Sequence, residues 1–147
     1  MQHYIHKVCP VILRQRGDSW QILAFRHPQA GTQLIKGTLE AGEQPDTAVL
    51  RELAEESGIN RAIVVEKIGE LDIDEAEQHW HIFLCQPTGI LLEQWSFFTT
   101  DGGGHIFQFF WHNLAEAPDE SWHKLFRTAL AFIQTWQQAR QVAILSR

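Results

Sequence analysis

The segment from Gly37 to Ile59, GTLEAGEQPDTAVLRELAEESGI, constrains this chain more than any other. It sets Arg51, Glu52, Glu55 and Glu56 together behind a loop carrying Gly37, Gly42 and Glu43. Pro45 suits the first turn of a helix, Asp46 the positive end of its dipole, and Gly58 the residue past its C-cap. The pattern therefore predicts a helix over 45–57. Like charges at i,i+4 oppose such a helix by roughly 0.2–0.5 kcal/mol per pair. A fold retains the cluster when something positive lies over it, and a divalent cation working on a phosphate is the simplest partner.

On a helical wheel at ~100° per residue, Leu50, Leu53, Ala54 and Ser57 share one side, the expected core face. Glu52, Glu55 and Glu56 fall nearly opposite, expected to point outward, with Arg51 flanking them. Most acidic helix faces are plain solvated surface. Two features argue against that reading here. Arg51 is the one cationic partner on the helix, and a glycine-punctuated loop has no reason to precede a decorative face.

Around this helix the chain reads mainly as strands. His6 to Gln15 and Trp20 to Arg26 form an expected hairpin across the turn Arg16-Gly17-Asp18-Ser19, with Pro10 marking an edge or a bulge. His27 to Gln33 reads as a loop. Ala62 to Leu71, with Gly69 as a bulge, Gln78 to Cys85 and His105 to Trp111 read as strands. Leu91 to Phe98 is ambiguous, and Thr99 to Gly104 reads as a flexible loop. Ser121, as N-cap, opens a second amphipathic helix to about Arg140, its core stripe being Trp122, Leu125, Phe126, Ala129, Ile133 and Trp136. No repeat, linker or low-complexity tract divides the chain, so residues 1–147 are expected to form a single domain. Its fold class is α/β (α+β), with helices packed on a mixed sheet.

Composition narrows the function classes. With 44% hydrophobic and 20% charged residues the chain is an ordinary globular one. A net charge of -6 argues against binding nucleic acid polymers through a basic surface. It leaves room for a small anionic substrate, because a bound cation and a few local Lys and Arg residues invert the field in one cleft. Cys9 and Cys85 sit in apolar runs and read as buried, reduced thiols. No signal-peptide pattern opens the chain, and no apolar run reaches the ~20 residues of a membrane span. The expected compartment is the cytoplasm.

Gly37, Glu43, Arg51, Glu52, Leu53, Glu55, Glu56, Gly58 and Ile59 match every specified position of the Nudix box, G-x5-E-x7-R-E-U-x-E-E-x-G-U, where U is a bulky aliphatic. The chain thus resembles the Nudix hydrolase family. The resemblance implies an α/β/α sandwich around a mixed β-sheet and a Mg2+- or Mn2+-dependent pyrophosphohydrolase acting on a nucleoside diphosphate derivative. It implies Glu52 and Glu56 as metal ligands, and Glu55 as a third ligand or the group that deprotonates water. Gly37 would offer its carbonyl to the metal, and Arg51 would hold Glu43 or Glu52 in place. Which carboxylate is the base stays open, as does a homodimer. The alternative function is a nucleotide-sensing module that binds without cutting.

Outside the box, Arg26 is either a phosphate contact or a surface charge, and Lys36 is placed to face phosphate. Leu34-Ile35-Lys36-Gly37 departs from the proline and two glycines found in many relatives. Asp101 and His105 flank the glycine run; that run reads as a mobile solvent loop, although some relatives supply a ligand or base from here. Glu75 and Glu77 are weaker candidates of the same kind. His79 and His81 share a strand face, but no further His or Cys is spaced to complete a zinc site, so they read as a structural or pocket-lining pair. No short tag beyond the box narrows the substrate.

Overall fold

The computed structural model describes residues 3–145. The expected domain of residues 1–147 has at its ends residues 1–2 and 146–147, which lie outside the described residues. Among the described residues nine strands and two α-helices run in the order β1 (Ile5–Val11), β2 (Leu13–Arg16), β3 (Ser19–His27), β4 (Gly31–Gln33), β5 (Gly37–Thr38), α1 (Pro45–Ser57), β6 (Ala62–Ile73), β7 (Gln78–Pro87), β8 (Trp95–Thr99), β9 (His105–Asn113) and α2 (Lys124–Leu145).

They build two sheets. The first is mixed, in the order β5-β1-β7-β6, with β1 and β7 parallel. The second is antiparallel, in the order β2-β3-β9-β8, with β4 beside β3. Alternation along β7 divides its side chains between two cores. Trp80, Ile82 and Leu84 pack with Phe126, Leu130 and Ile133 of α2. Phe83 and Cys85 pack with Val49 and Leu53 of α1. The helices thus cover opposite faces of the mixed sheet, an α/β/α arrangement.

Several expectations need correction. The single strand over His6 to Gln15 is two strands in different sheets. The chain changes sheet at Ile12, whose carbonyl accepts the Leu23 N–H at 3.0 Å. Pro10 is tolerated because β5 pairs only with Lys7 and Val8, leaving that stretch of β1 flanked by β7 alone. The expected loop over His27 to Gln33 contains β4, and β8 occupies the end of the ambiguous Leu91 to Phe98 run. The second helix starts at Lys124, so Ser121 is not its N-cap; Ser121 bonds Asp119 instead. Trp122 fills the core just ahead of the helix at 5% exposure.

The bulge near Gly69 is present as a register shift between Lys67 and Gly69 against β7. A Cβ on Gly69 would stand 2.8 Å from Phe132 of α2, so glycine also lets the helix approach. Cys9 and Cys85 are unpaired and buried in the two separate cores. Burial pushes both thiols up to about 12. Among the described residues no helix is long and apolar enough to cross a membrane.

Candidate active site

Helix α1 begins and ends as its residues dictate. Pro45 opens it, and Gly58 closes it at φ 80, its N–H returning to the Ala54 carbonyl at 3.0 Å. Its buried stripe is not the one the wheel indicates. Ala48, Val49, Glu52, Leu53, Glu56 and Ser57 are buried, while Leu50 and Ala54 are only partly so. The helix is covered on more than one side, by the mixed sheet and by β8 and β9. Two of the three glutamates expected to face solvent therefore point into the protein, Glu52 at 4% exposure and Glu56 at 8%.

Glu52 rests against Gly37 of β5. A Cβ there would stand 1.8 Å from the Glu52 carboxyl carbon, so no other residue fits without displacing the carboxylate. Arg51 Nη1 donates to Glu52 Oε1 at 2.8 Å. Glu52 Oε2 is buried and has no hydrogen-bond partner among the described residues. Such an orphaned, charged acceptor is costly unless a cation completes it.

Arg51 ties the acidic groups together. Its Nε and Nη2 donate to the two oxygens of Glu43 at 2.6 and 2.8 Å, a bidentate fork. Nη1 also reaches Glu55 Oε2 at 3.1 Å, and Nη2 the Thr38 carbonyl at 3.1 Å. The Arg51 fork, helped by the Glu40 N–H, holds the Glu43 carboxyl down at about 2. Glu43 thus remains a fixed anion that anchors the arginine.

Glu56 receives the Thr99 hydroxyl at 3.1 Å from the end of β8. Burial pushes its carboxyl up to about 7; the Thr99 hydrogen bond opposes this, and the charges of Asp101, Glu52 and Glu55 add to it. Burial also pushes Glu52 up, to about 6, against the pull of Arg51. Two carboxyls that hold protons this tightly are groups from which a cation can displace them.

The Thr99–Gly104 segment contributes to the site. Thr99 Oγ1 accepts the Asp101 N–H at 3.3 Å, starting a short turn over Asp101–Gly103. Gly102, Gly103 and Gly104 all have positive φ, which lets the chain double back there. One oxygen each of Glu52, Glu55 and Asp101 lies within 4.8 Å of the others. Asp101 therefore joins the acidic group, whereas His105 packs against the His27 ring, with centroids 4.6 Å apart. Glu75 and Glu77 lie at the β6–β7 turn and are not part of that group.

The basic candidates separate. Lys36 is partly buried, its Nζ 5.6 Å from the Trp80 ring centroid and 5.4 Å from that of Phe126. Burial lowers its pKa, Lys7 adds to this, and Cys9 and Glu56 oppose it. Lys7 was not singled out from sequence, although its alternation with Cys9 and Val11 on an apolar strand face was a usable signal. It donates to Thr38 Oγ1 at 2.7 Å, and burial lowers its pKa against the opposing charge of Glu52. Arg26 is exposed, its guanidinium 3.9 Å above the Phe110 ring, on the face of β3 opposite Phe25 and His27. A groove of about 620 Å³ lined by Gly58, Arg61, Ile90, Trp95 and Phe97 lies at the C-terminal end of α1, with no carboxylate among its described lining residues.

Oxygen-only ligands, several of them charged, suit hard cations such as Mg2+ and Mn2+. Fold and site define an α/β/α protein with an arginine-braced acidic centre beside a glycine turn. The chain belongs to the Nudix family: the NUDIX domain model matches residues 5–131. No curated protein matches it. Among solved structures it is similar to an ADP-ribose pyrophosphatase from Streptococcus suis 89-1591, with 14% identity, TM-score 0.65, and 94% and 93% of the two chains covered. It is similar to a NUDIX hydrolase from Nitrosomonas europaea, with 15% identity, TM-score 0.67, and 96% of this chain and 74% of that one covered. It also resembles a MutT protein from Methanosarcina mazei Go1, with 17% identity, TM-score 0.65, and 95% and 96% covered. At these identities the likeness concerns the fold.

Proposed function

We propose that this protein is a Nudix pyrophosphohydrolase that uses Mg2+ or Mn2+ to hydrolyse the diphosphate linkage of a nucleoside diphosphate derivative. The observation that carries the reading is Glu52, seated in the space Gly37 leaves, with one oxygen on Arg51 and the other buried without a partner among the described residues. Glu52, Glu55 and Glu56 would hold the ion, with the Gly37 carbonyl and Asp101 beside them. When bound, such an ion supplies Lewis-acid neutralisation of phosphate charge.

The chain's own groups do the rest. Glu55, at 45% side-chain exposure, is open to solvent and takes a proton from the water that attacks phosphorus. Arg51 positions Glu43, Glu52 and Glu55 at once, so the acidic centre is set before substrate arrives. Lys36, close enough for its charge to act on Glu56, meets the substrate's phosphates, whereas Arg26 faces the other side of β3 and takes no part. We take residues 1–147 as one domain acting on a small molecule in the cytoplasm, not on a nucleic acid polymer, with a homodimer as a compatible assembly.

A screen of ADP-ribose, nucleotide sugars, dinucleoside polyphosphates and nucleoside triphosphates with phosphatase-coupled detection tests the proposal. Mg2+- or Mn2+-dependent release of a phosphatase-labile product from at least one of them is expected. Tight nucleotide binding without any turnover would instead favour the sensing module.

A further inference from the structure

We propose a second metal site, outside the Nudix box, formed by His6, His79 and His81 with Glu70, suited to a first-row transition ion such as Zn2+. Strand register brings these groups together. In the parallel β1–β7 pair His6 lies opposite His79, and in the antiparallel β6–β7 pair Asp72 lies opposite His79 and Glu70 opposite His81. Cross-strand partners and i,i+2 neighbours share a sheet face, so three imidazoles and two carboxylates converge at one end of the mixed sheet.

The geometry is that of a ligand set. One ring nitrogen from each histidine lies within 4.8 Å of the others, and the ring centroids are 4.9 to 5.1 Å apart. His6 Nδ1 and His81 Nε2 are 2.8 Å apart. Two nitrogens bound tetrahedrally to one zinc at ~2.0–2.1 Å stand roughly 3.3 Å apart, so a small separation of these rings accommodates the ion. Glu70 Oε1 sits 2.6 Å from His79 Nε2 and 3.9 Å from His81 Nδ1. Lys67 holds the other Glu70 oxygen, which leaves Oε1 aimed at the histidines. Asp72 Oδ1 takes the remaining His79 nitrogen at 2.5 Å, the carboxylate–histidine arrangement that orients an imidazole ligand.

A separate observation is that the His81 ring is incompletely satisfied: Nε2 meets His6 Nδ1, while Nδ1 faces Glu70 Oε1 at 3.9 Å, beyond hydrogen-bond reach. His81 is 8% exposed, and its Nδ1 is buried without a hydrogen-bond partner among the described residues. A dication would also offset the paired negative charges of Glu70 and Asp72. Nitrogen donors distinguish this cluster from the oxygen-only acidic centre, so the two sites select different metals. The ion would staple β1, β7 and β6 together. It would do so next to β5, whose following residue Leu39 donates its N–H to the His6 carbonyl at 3.0 Å. The role is therefore structural support for the strand carrying Gly37.

The test is a Zn2+ titration of chelator-treated protein by calorimetry in saturating Mg2+, which keeps the acidic centre filled. One Zn2+ per chain should bind with micromolar or tighter affinity. His6→Ala, at an exposed position, should weaken binding at least tenfold while its circular dichroism stays that of wild type. Should His6→Ala fail to fold, Co2+ bound to wild-type protein serves instead, a visible spectrum of nitrogen-rich tetrahedral coordination being expected. No Zn2+ binding in Mg2+, binding unchanged by His6→Ala, or a Co2+ spectrum of six oxygen ligands would overturn the proposal. None of these readouts depends on hydrolysis.

Discussion

Gly37 and Glu52 occupy mutually exclusive volumes: the place where a Cβ on Gly37 would stand is filled by the Glu52 carboxylate, 1.8 to 2.1 Å away. Replacing Gly37 with Ala must therefore push Glu52 out of its seat. A displacement of about 1 Å at a reacting centre costs on the order of 100-fold in rate. Gly37→Ala is expected to lose about that much kcat, whereas Gly89→Ala, with open space at its Cβ, should be neutral. Kinetics of the two variants side by side check this.

Arg51 depends on its shape as well as its charge. Lysine keeps the charge but cannot hold both Glu43 oxygens while reaching Glu52 and Glu55. Arg51→Lys is expected to lower kcat at least tenfold with little change in melting temperature. Wild-type kcat in that variant would show that the fork does not position the carboxylates.

The raised carboxyls predict a particular pH dependence. Burial raises the Glu56 carboxyl to about 7 and the Glu52 carboxyl to about 6 in the folded protein, from the ordinary 4.5. Between pH 4.5 and 7 the folded protein binds more of these protons than the unfolded chain does. Their contribution to stability is thus greatest below that window and falls as pH rises through it. Without divalent metal, the melting temperature of wild type should fall more steeply between about pH 5 and pH 8 than that of Glu56→Gln, which has no such proton to lose. Mg2+ should stabilise wild type more at pH 8 than at pH 5, because it must displace protons to bind. At about 100 times its dissociation constant the gain is roughly 2.7 kcal/mol. Parallel pH slopes in the two proteins would contradict the assignment.

Away from the site, Gly69→Ala forces a methyl to 2.8 Å from Phe132. Overpacking of this kind costs about 1–3 kcal/mol. Urea unfolding should show that loss, and Phe132→Leu in the same chain should recover part of it.

Local chemistry explains which parts were legible beforehand. Helix α1 was readable to its ends because Pro45 and Gly58 act within a single turn, and the Nudix box lies within one loop and one helix. The burial of Glu52 and Glu56 was not readable. A wheel ranks faces by hydrophobicity, whereas the cover supplied by β8 and β9 comes from residues distant in the chain. The change of sheet at Ile12 was hidden for a related reason: the apolar run from Val8 to Leu13 continues unbroken from β1 into β2 and does not say which partner each half takes. Asp101 enters the acidic group only because Thr99 and three glycines turn the chain back, a geometry that composition alone describes as a loose loop. His6 joins His79 and His81 through parallel register across more than seventy intervening residues, which no local spacing reveals.

The most direct test of the central claim is the steady-state rate of Glu56→Gln with saturating Mg2+ on whichever diphosphate substrate the screen identifies. Glutamine keeps an acceptor for the Thr99 hydroxyl and removes only the charge. A folded protein whose kcat is at least about 100-fold below wild type is expected. Wild-type kcat in that variant would contradict it.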